Sequence, residues 1–484
     1  MAQQTSIKNI NRKTTYILIS KLANGPRIKW QGKTTKRNNS FKYLGVHIDS
    51  KLNWSDHLQH IKTKSSNLIQ KIGRVAGSNW GLKKDHRKIL YKTVTEKMIL
   101  HGSVAWAASL TARQKRALNS IHRKFLLNIS RAYSTTPTAA LQVIEGSLPL
   151  YLKAELEATY INITRLKTEA SLDGNQFKPS DYEGKPSSAK FHPADFQVEE
   201  KISTAKTYTP QDEINIFTDG SYLNDQTGSV FCIFIKDVVQ KEWMGKLKKE
   251  NSVFQAELTA IKEACRWAKH QNKPTKIWTD SESSLHSIKA IKTNITIAQD
   301  IQEDLLKTNH IKLGWVKAHS ANAGNELVDQ LAKKATIEGT PINIPLPRNQ
   351  LKKHLNAIMV KRWQEEWNAG ETGRSTYTIL PKVKTTQTGW EREEIMFVTG
   401  HGPFPTYLHR FQLRDSSTCG CGEEGTPFHY ATSCPLTTTY HFTKPSQHLE
   451  PIWWKRITSN KTSRVKIIQL IRFLQANEDI LFTQ

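Results

Sequence analysis

Apolar residues recur along this chain at two spacings that change by region. Thr15 to Ile19 and Phe41 to Ile48 read as short β-like stretches parted by a polar turn region rich in Gly, Asn and Lys. From Trp54 to Tyr133 the spacing becomes helical, through Leu58, Ile61, Leu68 and Ile72, then Ile89, Leu90, Val94 and Met98, then Leu118, Ile121, Phe125 and Leu126. Basic side chains occupy the other faces, which predicts a small helical bundle with a cationic surface. Glu169 to Pro210 is polar, has little periodicity and reads as a linker. From Ile214 the order is strand, strand, strand, helix, strand, helix, strand, helix. The strands are placed at Ile214–Tyr222, Ser229–Lys236, Glu242–Leu247, Lys276–Asp280 and Ile311–Val316. Ser252 caps a helix with the stripe Phe254, Leu258, Ile261, Cys265, Ala268, and a last helix near Asn325 to Thr336 carries Leu327, Val328, Leu331 and Ala335. An amphipathic helix follows around Leu351 to Trp367, and a terminal one over Val465 to Leu474.

A length of 484 residues exceeds one ordinary core and implies two to four domains. No run of eighteen apolar residues and no signal-peptide core occurs, so the expectation is an intracellular chain, cytoplasmic or nuclear, neither secreted nor membrane-spanning. Five cysteines, three of them between Cys419 and Cys434, do not form a disulfide framework and fit a reducing compartment. The net charge of +27 is uneven: Met1 to Tyr133 holds roughly 27 Lys and Arg against 4 Asp and Glu. A field of that size attracts polyanions, of which nucleic acid is the commonest with a backbone to track.

Two constellations carry candidate chemistry. Asp219 and Asp280 each end an apolar strand, Glu257 points to the core side of its helix, and Asp329 flanks the stripe of the last helix. An acid on a core face is costly unless something positive meets it, and four of them suggest a cage for divalent metal ions. Asp219 or Asp280 taken singly is more often an acid of a strand-end turn, and only the constellation reverses that. The second constellation is Cys419, Cys421, His429 and Cys434, spaced C-x-C-x₇-H-x₄-C, which supplies three thiolates and one imidazole for a closed tetrahedral Zn²⁺. With no open position it is assigned to structure or nucleic-acid docking. His401 and His409 lie nearby and are not chosen as ligands.

Asn11-Arg12-Lys13-Thr14, then Lys42-Tyr43-Leu44-Gly45-Val46-His47-Ile48-Asp49, then Leu52-Asn53-Trp54 and His57 resemble the palm end and thumb of reverse transcriptases from non-LTR (LINE-type, Jockey/I-like) retrotransposons. Thr135 to Pro149 looks like the segment that follows the thumb in those polyproteins. The aromatic-x-Asp-Asp polymerase motif has no counterpart here, so the resemblance implies a polymerase remnant that binds a template without polymerising. Thr218-Asp219-Gly220-Ser221, Gln255-Ala256-Glu257-Leu258, Thr279-Asp280-Ser281 and Gly324 to Ala332 resemble the type I ribonuclease H family, and Val316-Lys317-Ala318-His319-Ser320 resembles its histidine loop. That family's two-metal chemistry implies that Asp219 bridges two Mg²⁺ (Mn²⁺ also serving), with Asp280 and Glu257 on one side, Asp329 on the other and His319 relaying a proton or aiding product release. Gly220, Ser221, Ser281 and Asn325 are the implied nucleic-acid contacts. Similar C-terminal Cys-His motifs occur in the same retrotransposon proteins. Thr293 to Asn309, with Asp300, Glu303 and Asp304, lacks the basic handle of some cellular ribonucleases H, which leaves the basic N-terminal region as the substitute grip.

The expected architecture is multidomain α/β. A ribonuclease H-like mixed five-stranded sheet with flanking helices occupies 212–338. It is preceded by a mainly helical thumb-like region with the palm remnant (1–167) and a linker (168–211), and followed by a helical region (339–484) whose small zinc motif spans 419–434. The expected function is an endoribonuclease that hydrolyses the RNA strand of RNA–DNA hybrids with Mg²⁺, with structural Zn²⁺, and with hybrid nucleic acid and other retrotransposon proteins as partners. The alternative is a non-catalytic, nucleic-acid-binding retrotransposon remnant.

Overall fold

The computed structural model describes residues 15–19, 27–30, 32–75, 81–184, 191–204, 213–318 and 322–478. His319, the Asn11–Thr14 segment, Lys185–Ser188 and the boundary at Gln211 lie outside these residues. The chain divides into two units, Tyr160–Leu355 and a second made of Met1–Thr159 together with Asn356–Gln484. The first and last parts of the chain thus fall in one unit.

In that unit β1 (Ser40–Tyr43) and β2 (Val46–Asp49) pair antiparallel. Phe41 to Ile48, expected as one stretch, is therefore a hairpin, turned at Leu44 and Gly45, which both hold positive φ (46° and 90°) as a two-residue hairpin turn of the primed type requires. The helices include α1 (Ser55–Val75), α2 (Lys84–Leu90), α3 (Glu96–Ile99), α4 (Ala112–Ser130), α5 (Thr138–Glu145) and α6 (Leu150–Ile161). The stripe expected through Ile89 and Val94 faces solvent instead, at 58% and 47% exposure, while Tyr91, Thr95 and Ile99 are buried. A π-helical turn at Tyr91–Thr95 joins α2 to α3, and its wider turn shifts the buried face off the 3.6-residue period.

The other unit centres on a mixed sheet of β3 (Ile202–Ser203), β4 (Ile214–Leu223), β5 (Gln226–Ile235), β6 (Val238–Leu247), β7 (Thr275–Thr279), β8 (Ile311–Trp315) and β9 (Thr340–Pro341). The spatial order is β9-β6-β5-β4-β7-β8-β3. The five expected strands form its centre, and two-residue strands extend both edges. Hairpins β4–β5 and β5–β6 turn on Asn224-Asp225 and Lys236-Asp237, all four at positive φ, the backbone that matches the twist of paired strands. The stretch read as a linker contains a short hairpin, Ala170–Leu172 with Asn175–Phe177, and edge strand β3. Phe196, Val198 and Ile202 are buried in the same apolar cluster as the sheet, so sparse apolar residues without a period anchor a segment that composition marks as polar.

Helices α7 (Val253–Ala268), α8 (Glu282–Lys289), α9 (Thr296–Lys307) and α10 (Ala323–Glu338) flank the sheet. Leu258, Ile261, Cys265 and Ala268 of α7 pack with Ile214, Ile216, Ile233 and Ile277. Val328, Leu331, Ala332 and Ala335 of α10 pack with Phe217, Val230, Cys232 and Trp278. The alternation of β4 thus sends even residues to one core and odd residues to the other. Two helices, not one, link β7 to β8. Two acids of the second reach α7 and its C-cap, Asp300 pairing with Lys262 at 2.6 Å and Asp304 with Lys269 at 3.1 Å, while Glu303 pairs with Lys307 of its own helix.

Beyond the sheet, α11 (Arg348–Ala369) buries Leu351, Leu355, Met359, Trp363 and Trp367. It is followed by α12 (Arg392–Thr399), α13 (Pro427–Thr432), α14 (Glu450–Ser459) and α15 (Lys461–Ala476). Ile144 of α5 joins their apolar cluster, and its carbonyl accepts the backbone N–H of Thr388 at 3.0 Å. Among the described residues no helix is long and apolar enough to cross a membrane.

Candidate metal centres

Strand register brings the first two acids together. β4 and β7 run parallel, and their last paired residues are Thr218 and Thr279, so Asp219 and Asp280 are the next residue on each of two adjacent strands. Trp278 on β7 donates its indole N–H to Asn215 Oδ1 on β4 at 3.0 Å, inside the core. Glu257 comes from α7, one turn past a capping box in which Ser252 and Gln255 satisfy each other's backbone N–H groups. The helix lies close to β4 because Gly220 has no side chain: a Cβ there would sit 2.6 Å from the backbone nitrogen of Glu257. Asp329 is contributed by α10.

The four acids share one electrostatic environment. Asp219 is 9% exposed. Its carboxyl is pushed up to about 7, first by burial and then by Asp280, with smaller contributions from Asp329 and Glu257, while the backbone N–H of Gly220 opposes the rise. Burial also raises Glu257, against the hydrogen bonds from Ser281 and Ser284 that favour its ionised form. The Ser281 hydroxyl donates to Glu257 Oε2, and Ser284 Oγ donates to the same oxygen at 3.1 Å. Asn325 Nδ2 donates to Asp280 Oδ2 at 3.4 Å, and the Trp315 indole N–H donates to the Asp280 carbonyl at 3.2 Å. Lys333, one turn along α10, pairs with Asp329 at 2.7 Å.

These contacts refine the residues singled out from the sequence. Gly220 answers a packing need between β4 and α7. Ser281 caps α8 through the Ser284 N–H and holds Glu257, and buried Asn325 orients Asp280. Of the four implied nucleic-acid contacts, Ser221 keeps a partly exposed side chain beside Asp219. Sequence reasoning missed Ser284, Trp315 and Lys333. The first had a legible signal, since Ser281-x-x-Ser284 follows a strand-end acid as an N-cap does. As a donor set, four carboxylates offer oxygen alone, which suits hard divalent cations.

The second centre is tighter. Cys419 Sγ, Cys421 Sγ, His429 Nε2 and Cys434 Sγ form a set in which all ligand atoms lie within 4.8 Å of one another. Cys419 and Cys434 are 3.6 Å apart, Cys421 and His429 3.2 Å, and Cys421 and Cys434 4.0 Å. A tetrahedron built on Zn–S and Zn–N bonds has edges of roughly 3.5–3.8 Å, so these residues fit Zn²⁺. The three cysteines are free of disulfides. A tight turn delivers the first two, with the Gly422 N–H donating to the Cys419 carbonyl at 2.8 Å and Gly422 at φ 90°. His429 lies within the short helix α13, whose N-cap Thr426 accepts the His429 N–H at 3.1 Å, and Cys434 follows just beyond the end of that helix. His401 is engaged elsewhere, its Nδ1 2.9 Å from Thr135 Oγ1, and His409 is exposed. Neither joins the set.

Residues 211–337 match the RNase H family. Among curated proteins, a Pol polyprotein of a type-1 retrotransposable element R1 from Nasonia vitripennis is 28% identical over 29% of this chain and 35% of its own length. Its counterpart from Popillia japonica is 28% identical over 39% of this chain and 79% of its own. A ribonuclease H of Orientia tsutsugamushi is 28% identical over 27% of this chain and 85% of its own. The chain therefore spans about a third of the first of these relatives. A solved foamy viral protease–reverse transcriptase in complex with double-stranded DNA aligns with 27% of this chain and 99% of its own, at 21% identity and a TM-score of 0.24. The chain carries an RNase H domain and is related to retrotransposon R1 Pol polyproteins.

Proposed function

We propose that the RNase H domain hydrolyses the RNA strand of RNA–DNA hybrids, as one part of a retrotransposon-derived Pol polyprotein acting inside the cell. The observation that carries this reading is the convergence of Asp219, Glu257, Asp280 and Asp329, with the other three all raising the proton affinity of Asp219. Mutually repelling acids at a sheet end are satisfied by cations, and these four would hold divalent ions, Mg²⁺ or Mn²⁺. When bound, such ions make water nucleophilic at neutral pH and stabilise the charge on the phosphoryl and leaving oxygens.

The chain's own residues prepare that chemistry. Ser281 and Ser284 hold Glu257 in its ionised, ligating form. Asn325 and Trp315 fix Asp280 from its side chain and its carbonyl. Ser221 stands beside Asp219 as the hydroxyl available to sugar or phosphate, and selection of the RNA strand rests on 2′-hydroxyl contacts. His319 is the group for proton relay or product release. The basic N-terminal segment supplies non-specific affinity through its phosphate contacts. Polymerase activity is not expected of this chain. Cys419, Cys421, His429 and Cys434 hold a structural Zn²⁺.

The test is cleavage of a labelled RNA–DNA hybrid in Mg²⁺ by the full chain and by Asp219→Asn. The expected loss in the variant is on the order of a thousandfold or more. Equal cleavage by both proteins would remove the catalytic assignment. A wild-type chain that binds hybrid without cutting it would favour the non-catalytic reading.

A further inference from the structure

A cavity of about 460 Å³ opens among the β1–β2 hairpin, α1, α3 and the residues just after α3. Lys42, His57, His60, Lys64, Lys97 and His101 line it, and no carboxylate does. His57 is the buried member, at 2% exposure. Its Nδ1 accepts the backbone N–H of His47 at 3.3 Å, so the proton of the neutral ring sits on Nε2. That N–H is buried and has no hydrogen-bond partner among the described residues. A buried donor left unmet is costly, and what this cavity lacks is an acceptor. His101 shows the same polarity, with Nε2 2.9 Å from the Leu44 carbonyl, a partner that only accepts.

Four histidines, His47, His57, His60 and His101, would by composition alone suggest a metal site. The geometry opposes it. The His47 and His60 ring centroids lie 4.2 Å apart, with the rings tilted by 32°. Among the described residues, no three of these histidines bring ligand atoms within 4.8 Å of one another. Three ammonium groups in the lining repel a cation and attract an oxyanion. Neither nearby acid lines the cavity: Glu157 pairs with Lys97 only at 3.9 Å, and Asp56 bears on His47 from the start of α1.

We propose that this cavity binds a phosphate group, with the His57 Nε2–H as its buried donor and Lys42, Lys64 and Lys97 as its counter-charges. Burial, reinforced by His47, His60 and His101, lowers His57 to about 4, so at neutral pH the ring is an uncharged donor and the lysines carry the charge. The site lies outside the RNase H domain and stands independently of the nuclease reading, and Asp219→Asn leaves it intact. Its phosphate comes either from a nucleic-acid backbone or from free phosphate.

Both sources are tested on the full chain. Affinity for inorganic phosphate is measured by calorimetry at constant ionic strength in chloride, and affinity for a fluorescent RNA–DNA hybrid by anisotropy across a salt series. Lys64→Gln with Lys97→Gln, both exposed, is expected to weaken binding about tenfold or more, and exposed Lys62→Gln with Lys71→Gln serves as the control pair. His57→Phe is expected to match the Lys64/Lys97 loss, whereas His57→Gln, which keeps an N–H donor, stays within about threefold of wild type. A loss read in phosphate affinity identifies free phosphate as a sufficient ligand. A loss read only with hybrid, with the salt slope falling by about one per lysine removed, identifies a backbone diester. Equal effects of the two lysine pairs would overturn the site, as would zinc binding that His57→Phe abolishes.

Discussion

The two candidate metal centres make opposite demands on the backbone. The acid centre draws one carboxylate each from β4, α7, the end of β7 and α10, over more than a hundred positions from Asp219 to Asp329. The thiol centre takes all four ligands from within sixteen positions, Cys419 to Cys434. Neutral thiols and an imidazole crowd together at little cost, and their ligand atoms all lie within 4.8 Å of one another. Among the described residues no three carboxylates do so, because like charges in a partly buried site repel. Three of the four acids are restrained instead by a side-chain neighbour: Glu257 by two serines, Asp280 by Asn325, Asp329 by Lys333. A closed soft set is complete without substrate. A spread hard set leaves room for one.

The sharpest way to break this contrast is to remove one thiol. Cys421→Ser is expected to lower bound zinc from about one per chain to none, by elemental analysis. Because structural zinc in small domains is worth about 10–16 kcal/mol of apparent binding energy, several kcal/mol of stability should go with it, read as a lower melting temperature that EDTA reproduces in the wild type. Burial pushes the Cys434 thiol up to about 12, so metal binding must release protons and zinc affinity should fall as pH drops. Unchanged zinc content in the variant would end the assignment.

The acid centre should respond to pH in the metal-free protein. Asp219 rises from an ordinary 3.8 to about 7 in the fold, so between those values the folded state holds a proton that the unfolded chain has released. Stability from this group is therefore fully present below about pH 4 and is lost as pH rises through about 7. The gap corresponds to a loss on the order of 2–4 kcal/mol. Asp219→Asn should flatten that part of the pH–stability curve and be the more stable protein at pH 8 in EDTA, where the wild type gains most from added Mg²⁺. Parallel curves for the two proteins would show that the acids do not couple.

The sequence made the central strands, α7, α10 and the Cys/His set legible because each rests on a local pattern: apolar runs ending in an acid, a serine cap before a stripe, closely spaced Cys and His. What it hid depends on backbone detail or distant packing. The π turn at Tyr91–Thr95 moved a buried face that 3.6-residue spacing had assigned to Ile89 and Val94. The Leu44-Gly45 turn needs a positive φ at leucine, which sequence preference argues against. Edge strands of two residues, at Ile202–Ser203 and Thr340–Pro341, are too short to show alternation. Within the site, the partners of Ser281 and Asn325 are residues from other elements, so their role in holding Glu257 and Asp280 emerged only with the register.

The two centres also use glycine differently, and substituting each separates crowding from backbone strain. A Cβ at Gly220 would meet the Glu257 nitrogen at 2.6 Å and the Ala256 carbonyl carbon at 3.0 Å, backbone atoms that move only if α7 moves. Gly220→Ala should cost about 1–3 kcal/mol, read as a lower melting temperature, and should reduce cleavage by displacing Glu257. If the glycine serves only the approach of nucleic acid, cleavage will fall while the melting temperature stays. Gly422, between the thiol ligands, has open space around its Cβ position but a φ of 90°. There alanine meets strain alone, so Gly422→Ala should cost about 1 kcal/mol and keep its zinc. Loss of zinc from that variant would mean that the turn, rather than the four ligands, limits metal affinity.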